Sequence, residues 1–256
     1  LALFFGSICY GVSIMLIAQI YHLGEHYPDG ILFWSLGVLP LVVLTRSRLI
    51  ALLTIVLAIV WMATEAEEGF FPWLFPMFCG VCGWLSVKGK PSSLLFLICL
   101  ASLVTWIQLL VSYGLGHFFS YEDTEGQWGL GAGMLILLIG LSHYLMSKDG
   151  PLRDHGLLLS LWLLRGLLIV LIVFSFADIW DDFDQPEMRD RVLLGALPVL
   201  SFIGLIMSRR TGIKALIETG TPAVFLFSAF ILAFTGHDVA AAILINFLLL
   251  ISGIWL

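Results

Sequence analysis

Apolar runs long enough to cross a bilayer, separated by short polar connections, make up almost the whole chain. A transmembrane helix needs about 20 residues, because the hydrocarbon core is about 30 Å thick. Hydrocarbon offers the backbone no hydrogen-bond partners, so each run must be a helix that satisfies its own N–H and C=O groups. The runs lack the alternation typical of transmembrane β-strands. The sequence therefore predicts an all-α, polytopic transmembrane helix bundle of about ten spans.

The predicted spans use nearly all of the 256 residues, so the chain is predicted to be a single transmembrane domain, 1–256. Only 12% of the residues are charged, against about a quarter in soluble domains. The chain begins and ends within apolar runs and starts at Leu1, so we expect a fragment of a longer protein. The predicted spans are 1–20, 29–45, 49–64, 70–87, 92–113, 129–147, 156–177, 192–208, 212–234 and 238–256.

Positive charge alternates between successive connections. The even-numbered connections hold nine of the 12 lysine and arginine residues, and cytoplasmic loops carry such an excess. Both chain ends are therefore predicted to be cytoplasmic, with an acidic outer face, in a bacterial-type inner membrane. Trp73, Tyr113, Trp128 and Trp180 lie near span ends, and we interpret them as an interfacial aromatic belt.

The stretch GSICYGVSIMLIAQIYHLGEHYPDGILFWSLGVLPL, residues 6–41, resembles the domain-of-unknown-function 2157 family of predicted bacterial membrane proteins. Its core is IAQIYHL, residues 17–23, followed by a short polar loop and a second span that contains tryptophan. The closing segment AAAILINFLLLISGIWL, residues 240–256, also looks like that family. The resemblance implies a polytopic inner-membrane protein, usually with a short cytoplasmic helical segment before the first span, and implies no activity.

Two ionisable residues lie within predicted spans. Arg165 is nine residues into span 7, roughly 14 Å deep. A charge there costs at least about 2.5–3.5 kcal/mol, so we expect Arg165 to face the bundle interior and to pair with Glu218 of span 9. The functional alternative is a gate or an anion site at Arg165, and the structural alternative is an ion pair that holds two helices. Glu218 could instead form an i,i+4 pair with Lys214.

The ETGTP stretch, 218–222, places Gly220 and Pro222 beside this glutamate. Proline removes a helical donor and clashes with the preceding turn. A broken helix beside an ionisable residue is the arrangement of many transporter sites, although proline kinks without function also occur in membranes.

The connection after span 1 contains His22, Glu25 and His26 in the order H-x-x-E-H, with Gln19 just before it. Zinc binding by this order needs both histidines on one face of a stable helix. Gly24 and Pro28 interrupt any such helix, so an interfacial polar loop is the simpler interpretation and no metal is predicted.

Further polar features favour structural roles. Cys79 and Cys82 form a C-x-x-C within span 4, which fits close helix packing better than thiol redox chemistry. The acidic outer loop 178–190 fits a solvated loop better than a calcium site. Interhelical hydrogen bonding is the simplest role for Gln108, His143 and Asn246, although Gln108 and Asn246 are also candidates for contact with a substrate.

Three functions remain open. The first is transport or permeation of a small or anionic solute, with Arg165 and Glu218 beside a central path. The second is a membrane-embedded enzyme of lipid or envelope glycan metabolism that uses His22, Glu25 and His26. The third is a non-catalytic membrane partner or assembly protein. The expected partners are membrane lipids, a small-molecule substrate or another membrane protein; no nucleic acid and no cofactor are expected.

Overall fold

A computed structural model describes residues 1–21, 28–88, 91–116, 125–176, 180 and 188–255. All of the regular secondary structure in these ranges is helical. Its α-helices are Ala2–Tyr21 (α1), Pro28–Thr45 (α2), Arg48–Glu67 (α3), Phe75–Lys88 (α4), Ser93–Gly114 (α5), Glu125–Met146 (α6), Pro151–Phe174 (α7), Met188–Arg209 (α8), Ile213–Phe234 (α9) and Asp238–Trp255 (α10).

Helix positions agree with the predicted apolar runs. Six helices are long and apolar enough to cross a membrane, namely α2, α3, α5, α6, α7 and α9. The apolar parts of α1, α8 and α10 that the structure describes are shorter. Helix α7 begins five residues earlier than predicted, because Pro151 occupies its first turn and Gly150 adopts a positive φ of 76° just before it.

The N-terminus of α4 departs from the prediction. Span 4 was predicted to begin at residue 70, but α4 begins at Phe75 and has 14 residues, about 21 Å of helix. Non-helical backbone at membrane depth is tolerated where protein buries it. Here Phe71 is buried, and the indole Nε1 of Trp106 donates to the carbonyl oxygen of Pro72 at 2.9 Å. Trp73 and Tyr113 pack against Phe71 and extend this aromatic cluster.

The chain packs as two compact units, residues 1–119 and 120–256. In the first, α1 and α2 are joined by an indole hydrogen bond, in which Trp34 Nε1 donates to the carbonyl oxygen of Ser7 at 2.9 Å. A Cβ atom at Gly11 would overlap the Trp34 ring, and one at Gly37 would overlap the Tyr10 ring. Both glycines are therefore needed for the approach of these two helices.

The core of the second unit contains a tryptophan from the connection between α7 and α8. Trp180 is fully buried, and its Nε1 donates to the carbonyl oxygen of Phe174 at 2.8 Å. Its ring packs against Phe174 and Phe230, at centroid distances of 5.0 and 5.3 Å. The prediction of an interfacial position is wrong for Trp180, because its indole N–H is satisfied inside the protein.

Helices α6 and α8 approach each other through glycines. A Cβ atom at Gly140 would overlap the backbone of Gly204, and one at Gly204 would lie 2.8 Å from the Ile136 carbonyl oxygen. A Cβ atom at Gly133 would lie 3.0 Å from the Leu197 Cα. Small residues that bring backbones into contact are a principal means of helix association in membranes.

Replacing Gly140→Ala is therefore expected to destabilise the protein by about 1–3 kcal/mol, because the added methyl group forces α6 away from α8. The measurement is the thermal unfolding midpoint of the purified protein in detergent. Gly166→Ala in α7 is the matched control, since nothing lies within 4 Å of a Cβ at that position. Equal midpoints for the two variants would contradict this account of the α6–α8 contact.

Candidate functional site

A cavity of about 260 Å³ lies within the second unit, between α6, α7, α9 and α10. Leucine and isoleucine side chains make up half of its lining residues. It lies near the C-terminal ends of α6 and α10 and the N-terminal ends of α7 and α9, the end at which Lys148, Arg153 and Lys214 also lie. Its polar lining residues are Ser142, His143, Ser160, Glu218, Thr221 and Ser252.

Glu218 is the acidic group of this cavity and has two neighbours. His143 Nε2 of α6 lies 3.4 Å from Glu218 Oε2, and Lys214 Nζ lies 3.7 Å from Glu218 Oε1. The exposed fractions of the three side chains are 9% for His143, 33% for Glu218 and 83% for Lys214. The histidine thus approaches the carboxylate from the protein interior, and the lysine approaches it from the surface. The predicted i,i+4 pair with Lys214 is confirmed.

Helix α9 continues through Pro222 without a break, so the predicted broken helix is wrong. Proline has no N–H, and Pro222 therefore cannot donate the helical hydrogen bond to the carbonyl of Glu218, four residues earlier. Glu218, Thr221 and Pro222 all line the cavity. The proline thus removes one backbone donor beside the carboxylate while the helix stays continuous.

Arg165 does not pair with Glu218 and does not line the cavity. It is exposed, with its guanidinium carbon 5.4 Å from the centre of the Trp162 ring. The buried positions of α7 include Leu159, Leu163 and Leu167. Arg165 is two residues from the last two of these, which places it on the opposite side of a helix of 3.6 residues per turn. The predicted ion pair and the predicted inward orientation are therefore both wrong.

Asn246 and Gln108 are not among the residues that line the cavity. The amide nitrogen of Asn246 donates to the carbonyl oxygens of Ser175, at 3.1 Å, and Ala242, at 3.0 Å. Asn246 thus links α10 to the residue that follows α7. Gln108 is half-buried in α5 of the first unit. The structure does not assign either side chain to a site, and their roles as substrate contacts stay predictions.

The outer-loop candidates lie beyond what the structure describes. His22, Glu25 and His26 are outside the described residues, as is the side chain of Gln19 at the end of α1. The carboxylates of the acidic segment 178–190 are outside them too. Among the described residues, no cluster of three or more His, Cys, Asp or Glu side chains could hold a metal ion.

The C-x-x-C cysteines are free thiols buried in the first unit. Cys82 Sγ donates to the carbonyl oxygen of Ala51 in α3 at 3.5 Å. Cys79 Sγ donates to the carbonyl oxygen of Cys99 in α5 at 3.7 Å and lies 3.6 Å from Ser102 Oγ. These contacts tie α4 to its two neighbouring helices and favour the packing interpretation.

The arrangement around Glu218 can bind a positively charged or hydrogen-bond-donating group. One carboxylate oxygen faces a histidine, and the other faces a flexible surface lysine. Hydroxyl groups of Ser142, Ser160, Thr221 and Ser252 add weaker donors and acceptors around an apolar space. Sequence reasoning named Glu218 but missed these hydroxyls and its pairing with His143. The available signal was that both residues occur near the same predicted membrane face.

Several apolar helices of membrane-spanning length make this chain a multi-pass membrane protein. Residues 1–65 match the family described as predicted membrane protein (DUF2157), which confirms the resemblance found in residues 6–41. The match covers α1, α2 and most of α3, and therefore includes the Trp34–Ser7 contact. Comparison with curated proteins and with solved structures finds no match.

A double-mutant cycle tests the geometry around Glu218. His143→Leu and Glu218→Gln are expected to be non-additive in unfolding free energy by about 0.6–1.7 kcal/mol, as for interhelical polar contacts in membranes. The matched control pairs Arg165→Gln with Glu218→Gln, which should be additive because the two side chains do not touch. Reversible unfolding in mixed detergent micelles gives each value. Non-additive unfolding free energies in the Arg165 control pair, with additive values in the His143 pair, would refute the arrangement around Glu218.

Proposed function

We propose that this protein is a transporter or permeation protein for a small solute, with the Glu218 cavity as its solute-binding site. A ligand pocket that is mostly apolar and carries a few convergent polar groups is the usual form of a small-molecule site. Ionisable residues within membrane segments commonly mark solute pathways. The observation that carries the proposal is the half-buried Glu218 carboxylate that lines the 260 Å³ cavity.

The proposed setting is the inner membrane of a bacterium, crossed about ten times, with both chain ends in the cytoplasm. Positive charge in the even-numbered connections supports this orientation. In this topology the Glu218 part of the cavity lies toward the cytoplasmic side, since Glu218 is in the second turn of α9.

The charged residues that line the cavity indicate whether the solute is a cation or an anion. Arg165 lies outside it, so the anionic solute considered from the sequence has no partner there. Glu218 is acidic and lines the wall together with neutral hydroxyls and His143. A solute with a positive charge and an apolar part therefore suits this site best. A cavity of about 150 Å³ already admits benzene, so 260 Å³ accommodates a single ring with a charged substituent.

Assembly with another membrane protein is the second candidate function, and Arg165 favours it. The residue is about 14 Å from the C-terminal end of α7, close to mid-depth, on a stripe formed by exposed Leu161, Trp162, Ile169 and Ile172. A charge at that depth is expensive when it faces lipid. A carboxylate on a helix of a partner protein would neutralise it.

Uptake into proteoliposomes tests the transport proposal. Benzyltrimethylammonium and benzenesulfonate are permanently charged ring compounds of opposite sign, and neither crosses a bare bilayer readily. We expect uptake of the cation, and we expect Glu218→Gln to reduce it at least about tenfold because the charge partner of the cation is lost. The control is Asp149→Asn, an exposed carboxylate at the same end of the unit. Unchanged cation uptake in Glu218→Gln would reject the site.

Site-specific photo-crosslinking in native membranes tests the assembly candidate. A benzophenone side chain at position 169, on the exposed stripe, is expected to give a discrete protein adduct that Arg165→Leu weakens. The same group at buried position 163 is the control and should give no adduct with another protein. Lipid adducts alone at position 169 would show that the stripe faces the bilayer, against this candidate.

A further inference from the structure

Lys214 holds one of the two carboxylate oxygens that Glu218 could offer to a cationic solute. Its ammonium is 3.7 Å from Glu218 Oε1, while His143 holds the other carboxylate oxygen from within the protein. The lysine therefore occupies the outward-facing position on the carboxylate. A solute whose positive charge reaches Glu218 from the cavity must share or take that position.

We propose that Lys214 is a tethered competitor for the solute, and that the solute is an amphipathic organic cation whose charged group displaces the lysine from Glu218. The inference rests on the proposed function and adds a residue that tunes the affinity of the site for its solute. His143 stays on Oε2 during the exchange and keeps the carboxylate oriented toward the cavity. The apolar part of the cation lies against leucines such as Leu163, Leu167 and Leu248.

Lys214 is easily displaced because its ion pair with Glu218 is weak. An i,i+4 pair on a helix surface contributes little, because water solvates both partners and the long side chain loses freedom when it is held. Lys214 is 83% exposed, so its ammonium can return to water when it leaves Glu218. A solute in the cavity adds burial of apolar surface, which the lysine stem at the surface does not supply. The solute can therefore win this competition without a conformational change of the helices.

The two charged residues should respond in opposite directions. Glu218→Gln removes the attraction for the cation and is expected to weaken its binding at least about tenfold. Lys214→Met removes the competitor but keeps a side chain of similar length, and is expected to tighten binding about two- to fivefold. Lys214→Arg keeps the positive charge and should bind with nearly the parent affinity. A purely structural ion pair would not give opposite changes for its two members.

The experiment is isothermal titration calorimetry of the full chain in detergent with benzyltrimethylammonium, and with benzenesulfonate as the anionic control. Arg210→Met is the matched control variant, because Arg210 is an exposed cation in the connection just before α9, four residues from Lys214. The expected result is tighter cation binding in Lys214→Met and unchanged binding in Arg210→Met. The thermal midpoint of each variant verifies that it is folded.

Each other outcome has a defined meaning. Equal tightening in Lys214→Met and Arg210→Met would show a general effect of surface charge and would overturn the competitor role. Unchanged or weaker binding in Lys214→Met, with binding still lost in Glu218→Gln, would overturn the competitor role and leave the proposed function standing. Equal affinity in Glu218→Gln and the parent would overturn both. Failure of every variant to bind the cation would reject the proposed ligand class.

Discussion

Within hydrocarbon, a backbone carbonyl that lacks its helical partner has no water with which to form a hydrogen bond. In this protein, tryptophan side chains donate hydrogen bonds to backbone carbonyls at helix ends. Trp106 donates to Pro72 where the chain enters α4, and Trp180 donates to Phe174 where α7 ends. Trp34 donates to Ser7 inside the regular part of α1, so the same type of bond also joins two regular helices. An indole provides one donor and a large apolar surface, so it can bond a carbonyl and exclude solvent together. The contacts of Trp106 and Trp180 allow irregular backbone to lie beside long apolar helices.

The charged carboxylate of Glu218 also needs polar neighbours, because hydrocarbon offers it none. The carboxylate lies in the second turn of α9, between a histidine from the interior and a lysine at the surface. Neither neighbour encloses it, and the side chain remains one-third exposed. A fully enclosed ion pair would be a structural link between helices. This partial enclosure leaves the carboxylate able to meet a third group, which is what a binding site requires.

The helices could be predicted from the sequence because a membrane-spanning run is long, apolar and bounded by charge. The direction in which each side chain of a run points could not be predicted from the sequence. Around Arg165 the sequence reads LWLLRGLLIV, and apolar residues surround α7 on all sides. The buried stripe through Leu159, Leu163 and Leu167 therefore gives no contrast with the exposed one. The depth of Arg165 could be predicted from its position in the run. The direction in which its side chain points depends on which helices pack beside α7.

Side-chain contacts between different helices could not be predicted from the sequence either. His143 and Glu218 are separated by two spans, and only the packing of α6 against α9 brings them together. The burial of Trp180 was missed for a similar reason, since a tryptophan near a span end is typical of an interface and only the tertiary structure places this one in the core. Pro222 also differs from the broken-helix expectation, because α9 is continuous through it.

The pairing of α1 with α2 has a consequence for biosynthesis. The residues that join these helices, including Ser7, Gly11, Trp34 and Gly37, all lie within the first 45 positions of the numbered sequence. Domains form from the N-terminal side as the chain emerges from the ribosome, and spanning helices associate after each is stable in the bilayer. Helices α1 and α2 can therefore pair with each other during translation, before α3 has entered the bilayer.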